Sequence, residues 1–172
     1  MKCVILGAGK IARGFIGHLL YLSELPFTFI EKADGLVDLI NERGQYTVNI
    51  LGNSEKNCVV KGVKAIGFSD EEKVSKTIAD ADAIFTAVGG KNLESLIPYL
   101  TKGIEQKAKK GGTLNIVTCE NWKLPATILR NGIEEMISEE AKEYLEKQVG
   151  ITEAVIMRSA IESDPELLKK DP

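Results

Sequence analysis

The stretch Lys2-Cys3-Val4-Ile5-Leu6-Gly7-Ala8-Gly9-Lys10-Ile11-Ala12-Arg13-Gly14-Phe15-Ile16-Gly17 decides how this chain is read. Lys2 to Leu6 is an apolar run of strand length, stopped by glycine, which fits a buried first strand. From Lys10 the pattern changes. Ile11, Phe15, Ile16, Leu19, Leu20 and Leu22 recur at helical spacing until Pro26 prevents continuation. At the junction stands Gly7-x-Gly9-x-x-Ala12. Gly7 permits a tight turn, Gly9 lets backbone approach a pyrophosphate without a Cβ in the way, and Ala12 is small enough for close helix-to-strand packing. N–H groups at the helix start, aided by the helix dipole, favour a phosphate charge. Gly7, Ala8, Gly9, Lys10, Ile11 and Ala12 are therefore the expected cradle of a dinucleotide; the alternative is a tight strand-to-helix turn with no ligand.

Downstream, Phe27-Thr28-Phe29-Ile30 supplies a β-rich run ending in Glu31, and Leu36, Val37, Leu39 and Ile40 mark a second helix closing near Arg43-Gly44. Residues 45 to 68 are rich in Val, Ile and Thr with a polar break at Gly52 to Asn57, which predicts extra strands, one pair of them a hairpin. Asp70 is placed to cap a helix reaching Ala81, and Ala83 to Val88 reads as a strand ending in Gly89-Gly90. A helix from about Leu93 to Lys110 takes Pro98 in its first turn or is bent by it. Leu114 to Thr118 is a further strand, Trp122 to Ile137 and Glu139 to Gln148 are expected helices, and Ala154 to Met157 a last strand. Strands alternating with helices predict an α/β fold of Rossmann type: a doubly wound, mainly parallel sheet with helices on both faces. No internal repeat interrupts this order.

The bulk numbers agree with one core. The chain has 172 residues, 44% of them hydrophobic and 27% charged, which is ordinary for a globular protein and too short for a two-domain dehydrogenase. A net charge of -3 supplies no attraction to nucleic acid or to an anionic membrane. Cys3, Cys58 and Cys119 are far apart and lack C-x-x-C spacing, so neither a disulfide framework nor a zinc site is expected, and no metal is. The apolar run at the N-terminus is too short for a signal peptide or a membrane span, and a reducing cytoplasm is the expected compartment. Residues 1–160 are read as the nucleotide-binding domain. Residues 161–172, polar and carrying Pro165 and Pro172, are read as a linker or the start of a further domain.

Ligands of open α/β sheets bind at the carboxyl ends of the strands, and several candidate residues fall there. Glu31 stands at the distance from the glycine turn where a carboxylate accepts hydrogen bonds from the adenosine ribose, which favours NAD over NADP; Lys32 beside it softens that preference. The other reading of Glu31 is a solvated strand-end carboxylate. Ala87, Val88 and Gly89 end a strand on the same edge, where glycine lets backbone pass close to a cofactor or simply makes a turn. Asn121 can orient a substrate oxygen or the nicotinamide amide, or cap the next helix. Arg13 faces phosphate or solvent. His18, the only histidine, sits far along the first helix among Phe15, Leu19 and Leu22 and is read as structural, and Trp122 as packing beside the site.

These residues resemble one family. Gly7-Ala8-Gly9-Lys10-Ile11-Ala12-Arg13-Gly14-Phe15-Ile16-Gly17, Phe27-Thr28-Phe29-Ile30-Glu31, Thr86-Ala87-Val88-Gly89, Leu114-Asn115-Ile116 and Cys119-Glu120-Asn121 are similar to the polyol-specific long-chain dehydrogenases, the mannitol dehydrogenase family, over nearly the whole chain. The resemblance implies an NAD-binding domain followed by a helical substrate domain, with hydride exchange between the nicotinamide and a polyol or sugar phosphate of the mannitol 1-phosphate type. It also implies a general-base lysine in a Lys-x4-Asn-x2-His arrangement, which does not occur in these residues. Asn121 is the one active-site residue it carries over. Around Met157-Arg158-Ser159 the phosphate-using members have an Asp-Arg pair followed by proline; Arg158 fits and Met157 and Ile161 do not. The chain is thus expected to be one part of a longer dehydrogenase, binding cofactor with little turnover alone. A stand-alone NAD(H)-sensing module is the alternative, and a methyltransferase using S-adenosylmethionine a third reading.

Overall fold

The computed structural model describes residues 1–161 and 164–172. At its centre lies β1 (Cys3–Leu6), flanked by β2 (Phe27–Glu31) and β6 (Ala83–Thr86). β5 (Ala65–Gly67) extends the sheet beyond β2; β7 (Leu114–Thr118) and β8 (Val149–Glu153) extend it beyond β6. All five pairings are parallel and the order is β5-β2-β1-β6-β7-β8. The chain thus builds outward from β1 on one side, then crosses back and builds outward on the other. That reversal between β1 and β6 is the switch point at which doubly wound sheets bind ligands.

Strand alternation sorts the core into two halves. Cys3 and Ile5 point to one face, where they meet Ile16, Phe29, Ile40 and Tyr46. Val4 and Leu6 point to the other and meet Ile78, Ile84, Leu100, Ile104 and Ile116. The second face is covered by α3 (Glu71–Asp80), α4 (Ile97–Lys110), α5 (Pro125–Met136) and α6 (Glu139–Gln148). α3 and α4 pack so closely that a Cβ on Gly103 would lie 2.2 Å from Ile78 Cγ2. Lys107 is buried between them, and its ammonium donates to the Ala79 and Ala81 carbonyls that end α3, at 3.3 and 2.7 Å. Asp70 caps α3 as expected, accepting from the Lys73 N–H at 3.1 Å.

The first face carries the helix after the glycine turn, α2 (Asp34–Arg43), and an antiparallel hairpin of β3 (Gln45–Val48) and β4 (Cys58–Lys61), the expected extra strands. The first helix departs from expectation. Ala12–Gly17 winds as a π-helix before α1 (His18–Leu22) resumes the ordinary pitch. Two of its carbonyls take donors from outside: Tyr46 Oη donates to Arg13 at 3.0 Å and Arg158 Nη1 to Gly14 at 2.9 Å. Gly17 is required here, since a Cβ would lie 2.4 Å from the Tyr46 hydroxyl.

Two further expectations are corrected. The last strand is β8 (Val149–Glu153), and Ala154 to Met157 is irregular with Val155 and Met157 exposed. α6 runs directly into β8 with no intervening residue, and the strand is set by its parallel pairing with β7, Val149 alone of its residues being buried. α5 begins at Pro125, not Trp122, because Leu124 takes a left-handed conformation (φ 49°) that breaks the helical pattern. In the tail, α7 (Pro165–Leu168) is followed by Asp171, whose carboxylate accepts from the Thr47 N–H at 2.8 Å. Glu162 and Ser163, part of the segment read as a linker, lie outside the described residues. Within the described residues no helix is long and apolar enough to cross a membrane.

Candidate cofactor site

Register builds the site. Leu6 is level with Ile30 and with Thr86, Glu31 with Gly67, and Thr86 with Thr118. One residue further along, Glu31, Gly7, Ala87 and Cys119 therefore stand in a row at the carboxyl edge. Gly7 N–H donates to the Ile30 carbonyl at 2.7 Å and Ala87 N–H to Leu6 at 2.8 Å, so the ladder is closed up to this row.

Each residue of the glycine motif has a distinct physical task. Gly7 has φ 93°, and a Cβ there would lie 2.5 Å from the Ala87 carbonyl oxygen, so the turn both needs glycine's conformation and abuts β6. Gly9 is exposed, and a Cβ built on it meets nothing within 4 Å: open space lies over this point of the turn. Ala8 and Ala12 are fully buried in the core, and Ile11 packs against it. Lys10 is exposed.

Glu31 is 9% exposed, which removes the reading of a solvated carboxylate. Its Oε2 accepts from the Ala8 N–H at 2.6 Å, and its Oε1 from the N–H groups of Lys32 and Ala33 at 2.8 and 3.0 Å. The acid thus ties the glycine turn to the end of β2. Gly7, Gly9, Glu31, Lys32, Ala87 and Val88 all line one cavity of about 330 Å3. They are joined there by Phe68 and Tyr99, whose rings stand 4.8 Å apart at 57°, and by Asn92, Ser95 and Leu96 just before α4. The aromatic pair went unread in sequence. Phe68 follows β5 and Tyr99 is in the first turn of α4, and only the sheet order brings them together.

The remaining candidates lie around this cavity rather than in it. Arg13 is half-buried, and its guanidinium turns back and donates to the Ala8 carbonyl. With Lys10 and Arg158 it lines a second cavity of about 390 Å3, on the side of the hairpin and the tail. Asn121 is exposed beyond β7 and does not cap α5: Leu124 holds the cap position and Glu153 accepts from the Ala126 N–H at 3.2 Å. Trp122 is half-exposed and lies against Gly90, where a Cβ would fall 2.2 Å from the indole. Gly89 has φ 82° in the turn after β6. Glu120, singled out only as part of a motif, reaches across from β7 and accepts from the Val88 and Gly89 N–H groups at 2.8 and 2.9 Å.

His18 is buried, as a structural residue should be. Desolvation lowers its pKa from 6.5, and the nearby Arg158 guanidinium adds to the effect. Arg158 itself sits 5.2 Å from the Phe15 ring centroid. Burial raises the Cys119 thiol to about 12, with Glu120 contributing, so this cysteine is held as an inert thiol.

Sheet order, glycine turn and edge acid define a Rossmann-type domain. Comparison with known proteins gives its family: the mannitol dehydrogenase Rossmann domain matches residues 1–171, and the chain belongs to that family. It is 40% identical over 159 residues to mannitol-1-phosphate 5-dehydrogenase of Thermoanaerobacter pseudethanolicus and 36% identical over 159 residues to the enzyme of that name from Clostridium acetobutylicum. Each match covers 92% of this chain and 41% of the relative, so the chain spans well under half the length of these relatives. Among solved structures, D-mandelate dehydrogenase in ternary complex with NADH and anilino(oxo)acetate superposes with a TM-score of 0.57 over 92% of this chain and 46% of that one, at 17% identity. That likeness shows the fold.

Proposed function

We propose that this chain is the NAD(H)-binding domain of an oxidoreductase that exchanges a hydride with a polyol or a polyol phosphate. The observation that carries the cofactor reading is the open space over Gly9 in a turn anchored on either side, Gly7 on Ala87 and Ala8 and Ala12 in the core. Other glycines also face open space, but Gly9 does so at the start of the first helix on the carboxyl edge of the sheet, where a passing pyrophosphate needs backbone without a Cβ. Glu31, Phe68 and Tyr99 beside it suit an adenosine, with the carboxylate meeting ribose hydroxyls and the rings contacting the base. A 2'-phosphate at Glu31 would be repelled, which favours NAD.

When bound, the nicotinamide supplies the hydride acceptor. The chain's own residues would bind and orient it: the glycine turn holds the phosphates, the turn after β6 forms a wall, and Asn121, exposed just after β7 on the same edge of the sheet, offers an amide to a substrate oxygen. The names of the relatives support a polyol phosphate as substrate. No Lys-x4-Asn-x2-His arrangement occurs in this sequence, so the base that takes the hydroxyl proton is assigned to residues outside it.

Fluorescence titration with NADH, with S-adenosylmethionine as comparator, tests the reading. Saturable binding of NADH that Gly9→Val abolishes is expected; well-folded protein that ignores NADH, or prefers S-adenosylmethionine, contradicts it.

A further inference from the structure

The Glu120 carboxylate receives two adjacent backbone N–H groups, Val88 at 2.8 Å on Oε1 and Gly89 at 2.9 Å on Oε2. This contact is not needed to join the strands. The β6–β7 ladder already pairs Thr86 with Thr118, and Cys119 N–H donates to the Thr86 carbonyl at 3.2 Å. Glu120 acts beyond the ladder, on the turn alone.

That turn is held on both sides. Gly7 backs onto the Ala87 carbonyl, the Trp122 indole lies against Gly90, and Asn92 Nδ2 donates to the Val88 carbonyl at 2.7 Å. Val88 also lines the cavity that contains Gly9 and Glu31. We infer that Glu120 is a positioning residue for the dinucleotide: by clamping the Val88 and Gly89 amides it fixes the wall that separates the adenosine side of the site from the β7 side, where Asn121 stands. This inference rests on the cofactor reading above. Only a carboxylate fits the task, since it presents two acceptors to two convergent donors; a glutamine offers one acceptor and turns an NH2 group on the other donor. The adenosine side is braced independently by Glu31.

The clamp therefore matters for the half of the cofactor that passes the Val88–Gly89 turn. The test titrates the wild type, Glu120→Gln and Glu120→Ala with NADH and with AMP well below their melting temperatures, and measures amide hydrogen exchange without nucleotide. Glu120→Ala should weaken NADH about tenfold or more and AMP, which meets only Val88 of the turn, several-fold less than NADH, with Glu120→Gln between; Val88 and Gly89 amides should lose protection in both. Equal losses for NADH and AMP would mark a merely structural role and overturn the inference, as would NADH affinity within about twofold of wild type. Should Glu120→Ala fail to fold, Glu120→Gln decides by the same comparison. A wild type that takes neither nucleotide removes the cofactor reading itself, a result distinct from those two.

Discussion

The Glu31 carboxylate and the Ala8 backbone amide, 23 residues apart, meet at 2.6 Å in the buried row at the edge of the sheet. An acid read in sequence as a ribose partner is thus also the brace of the turn it faces.

Replacing Glu31 by alanine leaves the amides of Ala8, Lys32 and Ala33 without their acceptor. Orphaned buried donors cost ~1–3 kcal/mol each and water reaches some of them, so a loss of about 2–4 kcal/mol is expected. Thermal unfolding should fall by about 4–15 °C. NAD affinity should fall more than NADP affinity, because the repulsion of a 2'-phosphate disappears with the charge. Equal losses would detach Glu31 from the ribose.

Gly7 and Gly9 should respond to substitution in opposite ways. Gly7→Ala places a Cβ 2.5 Å from a backbone oxygen at φ 93° and should cost about 2–5 kcal/mol, read as a drop in melting temperature. The Cβ of Gly9→Val meets nothing within 4 Å, so the variant should melt close to the wild type while losing NADH. A large fall in stability for Gly9→Val would mean that the space over the turn serves the fold.

Tyr46→Phe removes the donor to the Arg13 carbonyl in the π-helical segment. The bond is part-buried, and the loss of its donor is expected to cost about 1–3 kcal/mol in urea unfolding. A neutral result would show that the helix rewinds to satisfy itself.

His18 gives the molecule an acid-sensitive point. Its folded pKa lies below the unfolded 6.5, so between those two values the unfolded chain binds a proton that the native one refuses. Stability contributed by the neutral imidazole is full above about pH 6.5 and is lost as pH falls through that window. The urea midpoint should decline from pH 7 to about 5.5 in wild type and less in His18→Gln. In Arg158→Ala the histidine pKa, followed by NMR, should rise toward 6.5 as the neighbouring cation is removed. A native His18 pKa at or above 6.5 would contradict the burial argument.

The sheet, its parallel sense and the glycine turn were legible because each leaves a local mark: an apolar run, a glycine pair, a helical period. Asp70 was legible as a cap for the same reason. Pro98, read as a first-turn or bending residue of a helix starting at Leu93, stands in the first turn because α4 starts only at Ile97. The start of β8 was not, since α6 passes into it without a turn residue, and neither was the unwinding at Leu124, whose side chain fits a helical pattern that its backbone refuses. Phe68 with Tyr99, and Glu120 with Val88, depend on strand order and register, which no window of sequence contains. Glu31 shows the mixed case: its place at the strand end was readable, and its three backbone donors were not.

A crystal structure of this chain with NADH tests the central claim most directly. The account predicts the pyrophosphate against the Gly7–Ala12 turn over Gly9, with the adenosine between Glu31 and the Phe68–Tyr99 pair. Density for the dinucleotide anywhere else, with that corner empty, would contradict it.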